Sequence, residues 1–323
     1  MKRKIAVLAT LALLALPLSA RADQAEGSFQ RTLKVASGDV EVSVKTGSGN
    51  IDVRTGSGDT VEIRARIRAR SGWGLSAEEK VKRLEANPPI EQTGNSIRIG
   101  RIEDRELRNN VSIDYDLVVP ARTRVGSATG SGDLKVRGLQ GALKASTGSG
   151  NLSLSNITAD VRAESGSGDM ELQDVKGSMY VSTGSGNIRT ARVAGRFIGS
   201  TGSGDIHLDQ TSSGEVKVET GSGNVIANGV DGALSVATGS GDVEINGRQA
   251  GEWRMSTGSG NVRVRFAGEP SFELDAETSS GSIDVDHPIT IQGRFQKHAL
   301  HGKVRNGGNL VYVRTGSGDI EFR

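Results

Sequence analysis

Residues 130–169 read GSGDLKVRGLQGALKAST, GSGNLSLSNITADVRAES, GSGD: two consecutive 18-residue units and the start of a third. The turn unit Gly-Ser-Gly, followed by Asp or Asn, returns in frame at Asp133, Asn151, Asp169, Asn187, Asp205, Asn224, Asp242 and Asn261. Successive spacings are 18, 18, 18, 18, 19, 18 and 19 residues, the mark of a stacked-repeat architecture. Further copies end at Asp39, Asn50, Asp59 and Asp319, and a degenerate one, Ser279-Ser-Gly-Ser282, precedes Ile283.

Apolar residues hold fixed offsets from the corner. After Asp133 they are Leu134, Val136, Leu139, Leu143 and Ala145; after Asn187 they are Ile188, Val193 and Phe197, with Thr190 and Gly199 at the remaining offsets. Period-2 alternation predicts two short strands per unit, separated by Gly-rich bends. One such unit cannot bury its own apolar face. Stacked coil on coil at about 4.8 Å, the rows of Leu, Ile and Val merge into a narrow continuous core. The expected fold is all-β, a parallel β-solenoid of about 18-residue coils, right-handed by the usual preference of parallel crossovers. In this frame Leu134, Val136, Leu152, Leu154, Ile206, Leu208, Val243 and Ile245 point inward, and Lys135, Ser153, His207 and Glu244 point out.

The alternation of Asp and Asn bears on coil length. With 18 residues per coil, Asp and Asn alternate up one edge and neighbouring carboxylates stand roughly 9 to 10 Å apart, near the screening length of physiological salt. With 36 residues per coil the carboxylates would stack at about 4.8 Å and repel by about 1 kcal/mol even in water. The shorter coil is expected.

Composition agrees with a thin coil. Of 323 residues 45 are Gly, and Phe, Tyr and Trp number only 6, 3 and 2, so a thick aromatic core is excluded. There is no Cys, which removes disulfides, thiolate metal sites, Cys nucleophiles and a lipidated Cys. Met1-Lys-Arg-Lys4, the apolar run Ile5 to Leu18 and Ala20-Arg21-Ala22 have the three parts of a secretory signal peptide. The run is shorter than the roughly 20 residues of a membrane span and is broken by Pro17. Loss of Lys2, Arg3, Lys4 and Arg21 would turn the formal charge of +2 into −2. An extracytoplasmic mature chain is expected, in the periplasm, at the cell surface or secreted, with no membrane span.

One stretch breaks the repeat. After Asp59, Val61 to Arg70 reads as a long strand with Arg64, Arg66, Arg68 and Arg70 on one face. Ser76-Ala-Glu-Glu79 is a capping box opening a helix to about Glu85, and Asn87-Pro-Pro89 stops it. Strands Ser96 to Gly100 and Val111 to Val119 follow, the latter ended by Pro120. Repeat proteins need their apolar ends covered, and this insertion reads as such a lid. The chain thus divides into a leader (1–22), N-terminal strands and first coils (23–63), a strand-helix-strand cap insertion (64–120) and the solenoid array (121–323).

The segment Val111-Ser-Ile-Asp-Tyr-Asp-Leu-Val-Val-Pro120, followed by Thr129-Gly-Ser-Gly-Asp-Leu-Lys-Val136 and its copies, resembles the bacterial DUF4097 family of adhesin-like proteins over nearly all of residues 30–323. The resemblance implies a β-solenoid at the cell envelope and transfers no catalytic residue.

Several patterns have both a functional and a plainer reading. Asp-bearing Gly-rich repeats can bind calcium, but here every other Asp is Asn, whereas calcium takes six to eight oxygens; bonding of Asp and Asn to nearby backbone amides explains the corners equally. Rows of hydroxyls at Thr147, Thr183, Thr201, Thr220 and Thr238 could present a flat array to carbohydrate or ice, or simply bond between strands. The Arg64 to Arg70 face could attract a polyanion, but stacking aromatics that would suit a nucleic acid are lacking. His298 and His301, with Asp284 and Asp286 nearby in sequence, lie where the repeat is least regular; a shared zinc would require a helical turn that Gly293 and Gly302 disfavour. The Gly-Ser-Gly copies lack the strand-to-helix elbow of a hydrolase.

No catalytic, cofactor or metal residue is therefore assigned, and no nucleic-acid partner. The expectation is a non-enzymatic envelope scaffold that meets an envelope protein or a glycan. The alternatives are a polysaccharide-active enzyme on a solenoid, which needs one unrepeated acid-base cluster, and a calcium-dependent envelope module.

Overall fold

The computed structural model describes residues 24–36, 38–72, 74–291 and 297–323; residues 1–22, read above as a leader, lie outside them. Each repeat makes one coil of two strands, as the Asp and Asn alternation implies. On one face Leu143 pairs in parallel with Val161, and on the other Leu134 pairs with Leu152, each an offset of 18 residues. The regular array runs from strand Arg124–Thr129 to strand Val262–Phe266 and stacks eight strands on each face.

The inward residues named above are all at most 1% exposed, whereas Lys135 is exposed and Ser153, His207 and Glu244 partly so. Each such buried Leu, Ile or Val contributes roughly 1.5–3 kcal/mol. The lumen is narrow. Phe197 is accommodated mid-array because residue 199 is Gly; a Cβ there would lie 2.6 Å from the Phe197 ring. Larger ring clusters occur at the ends: Phe29 meets Tyr115 at the N-terminal one, and at the C-terminal one Phe266 packs on Trp253, Phe272 and Phe322 with centroids 4.7 to 6.4 Å apart.

Stacking does not follow chain order at either end. Strand Glu41–Thr46 lies between Ser96–Ile99 and Arg124–Thr129, and strand Ile51–Gly56 lies between Val111–Pro120 and Leu134–Arg137. The insertion 64–120 therefore contains a coil of its own, outside the coil that precedes it in sequence. At the other end, Leu310–Ser317 and Ile320–Phe322 slot between the Trp253–Phe266 coil and the coil made of Phe272–Ser280 and Ile283–Val285. The final residues of the chain form the penultimate coil.

Antiparallel strands finish both ends. Thr60–Arg70 runs between Val111–Pro120 and Gln24–Lys34. Helix α1 (Ala77–Ala86) packs its buried Val81 and Leu84 toward the same end, and the Ser76 hydroxyl caps it by accepting from the Glu79 amide at 3.2 Å. Lys80, 1% exposed, staples α1 down by donating to the Arg70 and Asn109 carbonyls at 3.1 and 2.8 Å.

Candidate functional site

The corners form a single hydrogen-bonded ladder. In stacking order the rungs are Asp114, Asn50, Asp133, Asn151, Asp169, Asn187, Asp205, Asn224, Asp242, Asn261, Asp319 and Ser282. The backbone amide of each rung donates to the side-chain oxygen of the one before it, at 2.7–2.9 Å. Asp and Asn alternate strictly in space, although in sequence the degenerate Ser282 separates Asn261 from Asp319 and Asp114 lies outside any Gly-Ser-Gly copy. The copies at Asp39 and Asp59 are not rungs: Asp39 pairs with Arg124 at 2.7 Å, and the Asp59 carbonyl accepts from Val35. Repulsion between adjacent carboxylates accounts for the pattern. The corner oxygens serve the backbone, and among the described residues no group of three or more His, Asp or Glu stands close enough to hold a metal ion.

Beside the ladder, the Thr row turns inward. Thr147, Thr183, Thr201, Thr220 and Thr238 are only 4–6% exposed, and each hydroxyl donates to a Gly carbonyl of the neighbouring coil at 2.9–3.1 Å. Of the two readings of this row, bonding between strands is the one the geometry has: its hydroxyls satisfy buried carbonyls and do not form a solvent-facing array. The glycines that receive these bonds are held by contact. A Cβ on Gly168, which accepts from Thr183, would lie 1.8 Å from the Gly150 carbonyl oxygen.

What the coils do present to solvent is the outward offset just before each Thr. Across four coils it carries Ser182, Ser200, Glu219 and Ala237, and with Gly202, Gly221 and Gly239 these line an open trough of about 580 Å³. The Ser200 hydroxyl donates to that of Ser182 at 3.0 Å. Two residues earlier on the same strands, and so on the same outward face, stand Tyr180, Ile198, Lys217 and Ser235. Tyr180 is 39% exposed, with the Arg162 guanidinium 4.5 Å from its ring centre. The Glu219 carboxylate accepts from Lys217 at 2.9 Å and holds that ammonium above its usual pKa range. Small outward residues recurring at one offset, beside an outward aromatic, are visible in the repeat alignment and mark this face.

The Arg face is present but balanced. Arg64 and Arg66 stand opposite Asp116 and Asp114; Arg68 reaches Asp114 at 2.8 Å and Arg64 lies 4.0 Å from Glu62. A shallow groove of about 560 Å³ here is lined by Asp52, Asp114 and Asp116 as well as Arg64 and Arg66. A polyanion laid along it would meet three carboxylates. Arg70 faces a different cleft, with Arg68 and Arg108.

The irregular C-terminal residues do not converge. Residues 299–304 are a strand antiparallel to Phe272–Ser280 that carries His301, and His298 stands in the turn before it. His301 pairs with Asp275 at 3.1 Å and His298 approaches the Gly281 carbonyl at 3.1 Å. Asp284 and Asp286 instead grip Arg323 from the other sheet, at 3.1 and 2.6 Å.

Two parallel sheets wound from one repeat, with a hydrogen-bonded corner ladder, define a β-solenoid repeat protein. The chain belongs to the DUF4097 family, described as Toastrack, whose sequence profile matches residues 158–323. No curated protein matches it. Among solved structures it is similar to a "putative adhesin" of Bacteroides fragilis (10% identity, 92% of this chain and 97% of that one, TM-score 0.33). It is likewise similar to a "putative cell adhesion protein" of Clostridium sporogenes (10%, 92% and 99%, 0.25) and a "putative adhesin" of Parabacteroides distasonis (12%, 92% and 97%, 0.28). Among the described residues no helix is long and apolar enough to cross a membrane.

Proposed function

We propose that this protein is a non-enzymatic, extracytoplasmic scaffold that binds an extended envelope polymer, foremost a glycan, along the four-coil trough. The observation that carries this reading is the open trough that Ser182, Ser200, Glu219 and Ala237 line across four successive coils, beside an exposed tyrosine. Four coils at about 4.8 Å offer roughly 14 Å of continuous open surface, long enough for an extended ligand. Tyr180 supplies an apolar ring face and Ser182 and Ser200 supply hydroxyls, the combination that sugar rings take.

The test is retention of the full-length chain, expressed with its leader and purified from the cell envelope, on immobilised envelope polysaccharides. Tyr180→Ala and Ser200→Glu are expected to reduce retention at least about tenfold with the melting temperature unchanged, since both side chains lie outside the core. Equal retention of wild type and both variants would remove the trough from consideration. The same preparation tests export: sequencing is expected to find Asp23 as its first residue.

A further inference from the structure

The outward row that carries Tyr180 continues along the rod to a second tyrosine. In parallel register it reads Tyr180, Ile198, Lys217, Ser235, Arg254 and Tyr312, one residue per coil. Tyr312 takes its place because strand Leu310–Ser317 is interposed next to Trp253–Ser259; in chain order the following strand of this sheet is Phe272–Ser280, which would bring Asp275 there. The two rings are five strand spacings of about 4.8 Å apart, roughly 24 Å along the rod.

Both tyrosines are set in the same way. Arg162, one coil before Tyr180, lies over that ring at 4.5 Å; Arg254, one coil before Tyr312, lies over its ring at 5.7 Å and is joined by Arg314 at 5.2 Å. Cation–π contact steadies each ring, and Tyr312, like Tyr180, keeps part of its surface in solvent. Between the rings the adjacent outward offset stays low, running from Ser182, Ser200, Glu219 and Ala237 on to Ser256 before Arg314 closes it. From Arg162 to Arg314 the cations of these two rows are each matched by a carboxylate. Arg162 pairs with Glu164 at 2.6 Å, Lys217 with Glu219 at 2.9 Å, Arg314 with Glu277 at 2.7 Å, and Arg254 with Glu252. The strip therefore offers rings, hydroxyls and compensated charges, and no excess of cations to draw a polyanion.

We infer that the glycan bound along the trough is uncharged and runs from Tyr180 to Tyr312, with a sugar ring seated at each tyrosine. This rests on the reading of the trough as a glycan site and extends it by two coils. Sugar C–H groups pack on the solvent side of each phenol ring. A guanidinium has five N–H donors and its carboxylate uses only some of them, so the arginines beside the rings also donate to sugar hydroxyls. Two anchors on one chain hold it more tightly than either alone, because the second contact is made at high effective concentration. A fragment too short to span them gains nothing from the second anchor.

The experiment separates envelope polysaccharide on an anion exchanger into uncharged and acidic fractions and immobilises each. Full-length wild type is expected on the uncharged fraction and should stay bound when salt is raised, because no ion pair with the ligand is there to be screened. Tyr312→Ala and Ser256→Glu should each cut retention at least about tenfold. Ser256 lies beyond the trough and faces outward, so its substitution reads the path of the glycan without touching either ring, and its melting temperature should match wild type. Soluble fragments of the same fraction, made by partial acid hydrolysis, then compete for the protein. Those long enough to reach both tyrosines should outcompete disaccharides at least about tenfold on wild type and lose that advantage on Tyr312→Ala. Retention on the acidic fraction alone, release by salt, or undiminished retention of both Tyr312→Ala and Ser256→Glu would overturn the inference. In the last case, loss of retention by Tyr180→Ala and Ser200→Glu would leave the trough itself standing, whereas retention on neither fraction would remove both readings.

Discussion

The coils between Arg124 and Phe266 and the coils at the two ends meet the same demand, that buried backbone groups be paired, by different means. In the array every coil repeats its neighbour, so one Thr, two Gly and an alternating Asp or Asn satisfy each corner through the next coil. At the ends there is no next coil. There the chain folds back on itself, placing residues 310–323 inside residues 272–285 and residues 41–56 inside residues 96–120. Antiparallel strands, a capped helix and a cluster of rings then cover what remains, which also protects the open sheet edges. Translational symmetry suffices for the middle of a rod, whereas its termination needs long-range pairing.

The sharpest way to break this contrast is to delete residues 310–323. If the last coil is the penultimate layer, its loss separates residues 272–304 from the array. Hydrogen exchange should then show those residues unprotected while residues 124–266 stay protected. Retained protection of 272–285 would mean that this coil stacks directly on Trp253–Phe266.

Within the array, Leu154→Asp should destabilise by about 3–5 kcal/mol, because a lone carboxylate would sit in the apolar column, while Ser153→Asp should change little. Denaturant melts showing equal midpoints for the two variants would contradict the inward frame.

The same corner offset can be compared between array and end. A Cβ on Gly148 would lie 2.4 Å from the Gly130 carbonyl oxygen, whereas nothing lies within 4 Å of one on Gly47. Gly148→Ala is expected to lower stability by about 1–3 kcal/mol and Gly47→Ala by less than about 0.5 kcal/mol. Comparable losses would show that the end coil is packed as tightly as the array.

The smallest effects concern the ladder. Replacing Asp133, Asp169, Asp205 and Asp242 by Asn keeps an acceptor on every rung, so the melting temperature should hold in millimolar calcium and in chelator alike. A calcium-dependent rise of many degrees in the wild type alone would instead establish a calcium module. At the C-terminal end, the backbone amide and hydroxyl of Ser282 hold the Asp319 carboxyl below its ordinary range. A depressed pKa gives stability that is present above the usual carboxylate value of about 4 and lost as pH falls through the lower folded value. Acidification below pH 4 should therefore loosen the coil that carries Ser282, read as a lower protection factor at the Ser282 amide in wild type, relative to its intrinsic exchange rate at each pH, than at neutral pH. Asp319→Asn should show little change over that range.

Much of this was legible beforehand, for local reasons. Ser76 and Glu79 mark a helix start wherever they fall before an amphipathic run, and the Gly-Ser-Gly spacing gives the coil length directly. The inward turn of Thr147 was also available, since it shares parity with Leu143 and Ala145, although hydroxyls draw the eye toward solvent. The trough could be read from the small residues at one outward offset. The Asp114 rung could not, because Asp114 meets Asn50 only through the displaced stacking of the end.

The sequence by itself determined the period, the direction of each side chain and the identity of the repeating corner, because these follow from backbone alternation and from contacts one coil apart. Only the tertiary structure decided which coil lies on which at the ends. Any coil of matching register offers the same backbone partners to any other, so the order is set by the sum of contacts between residues up to about 80 positions apart, such as Asn50 with Asp133. The strict alternation of Asp and Asn follows that spatial order because repulsion acts between neighbours in space, whatever their separation along the chain.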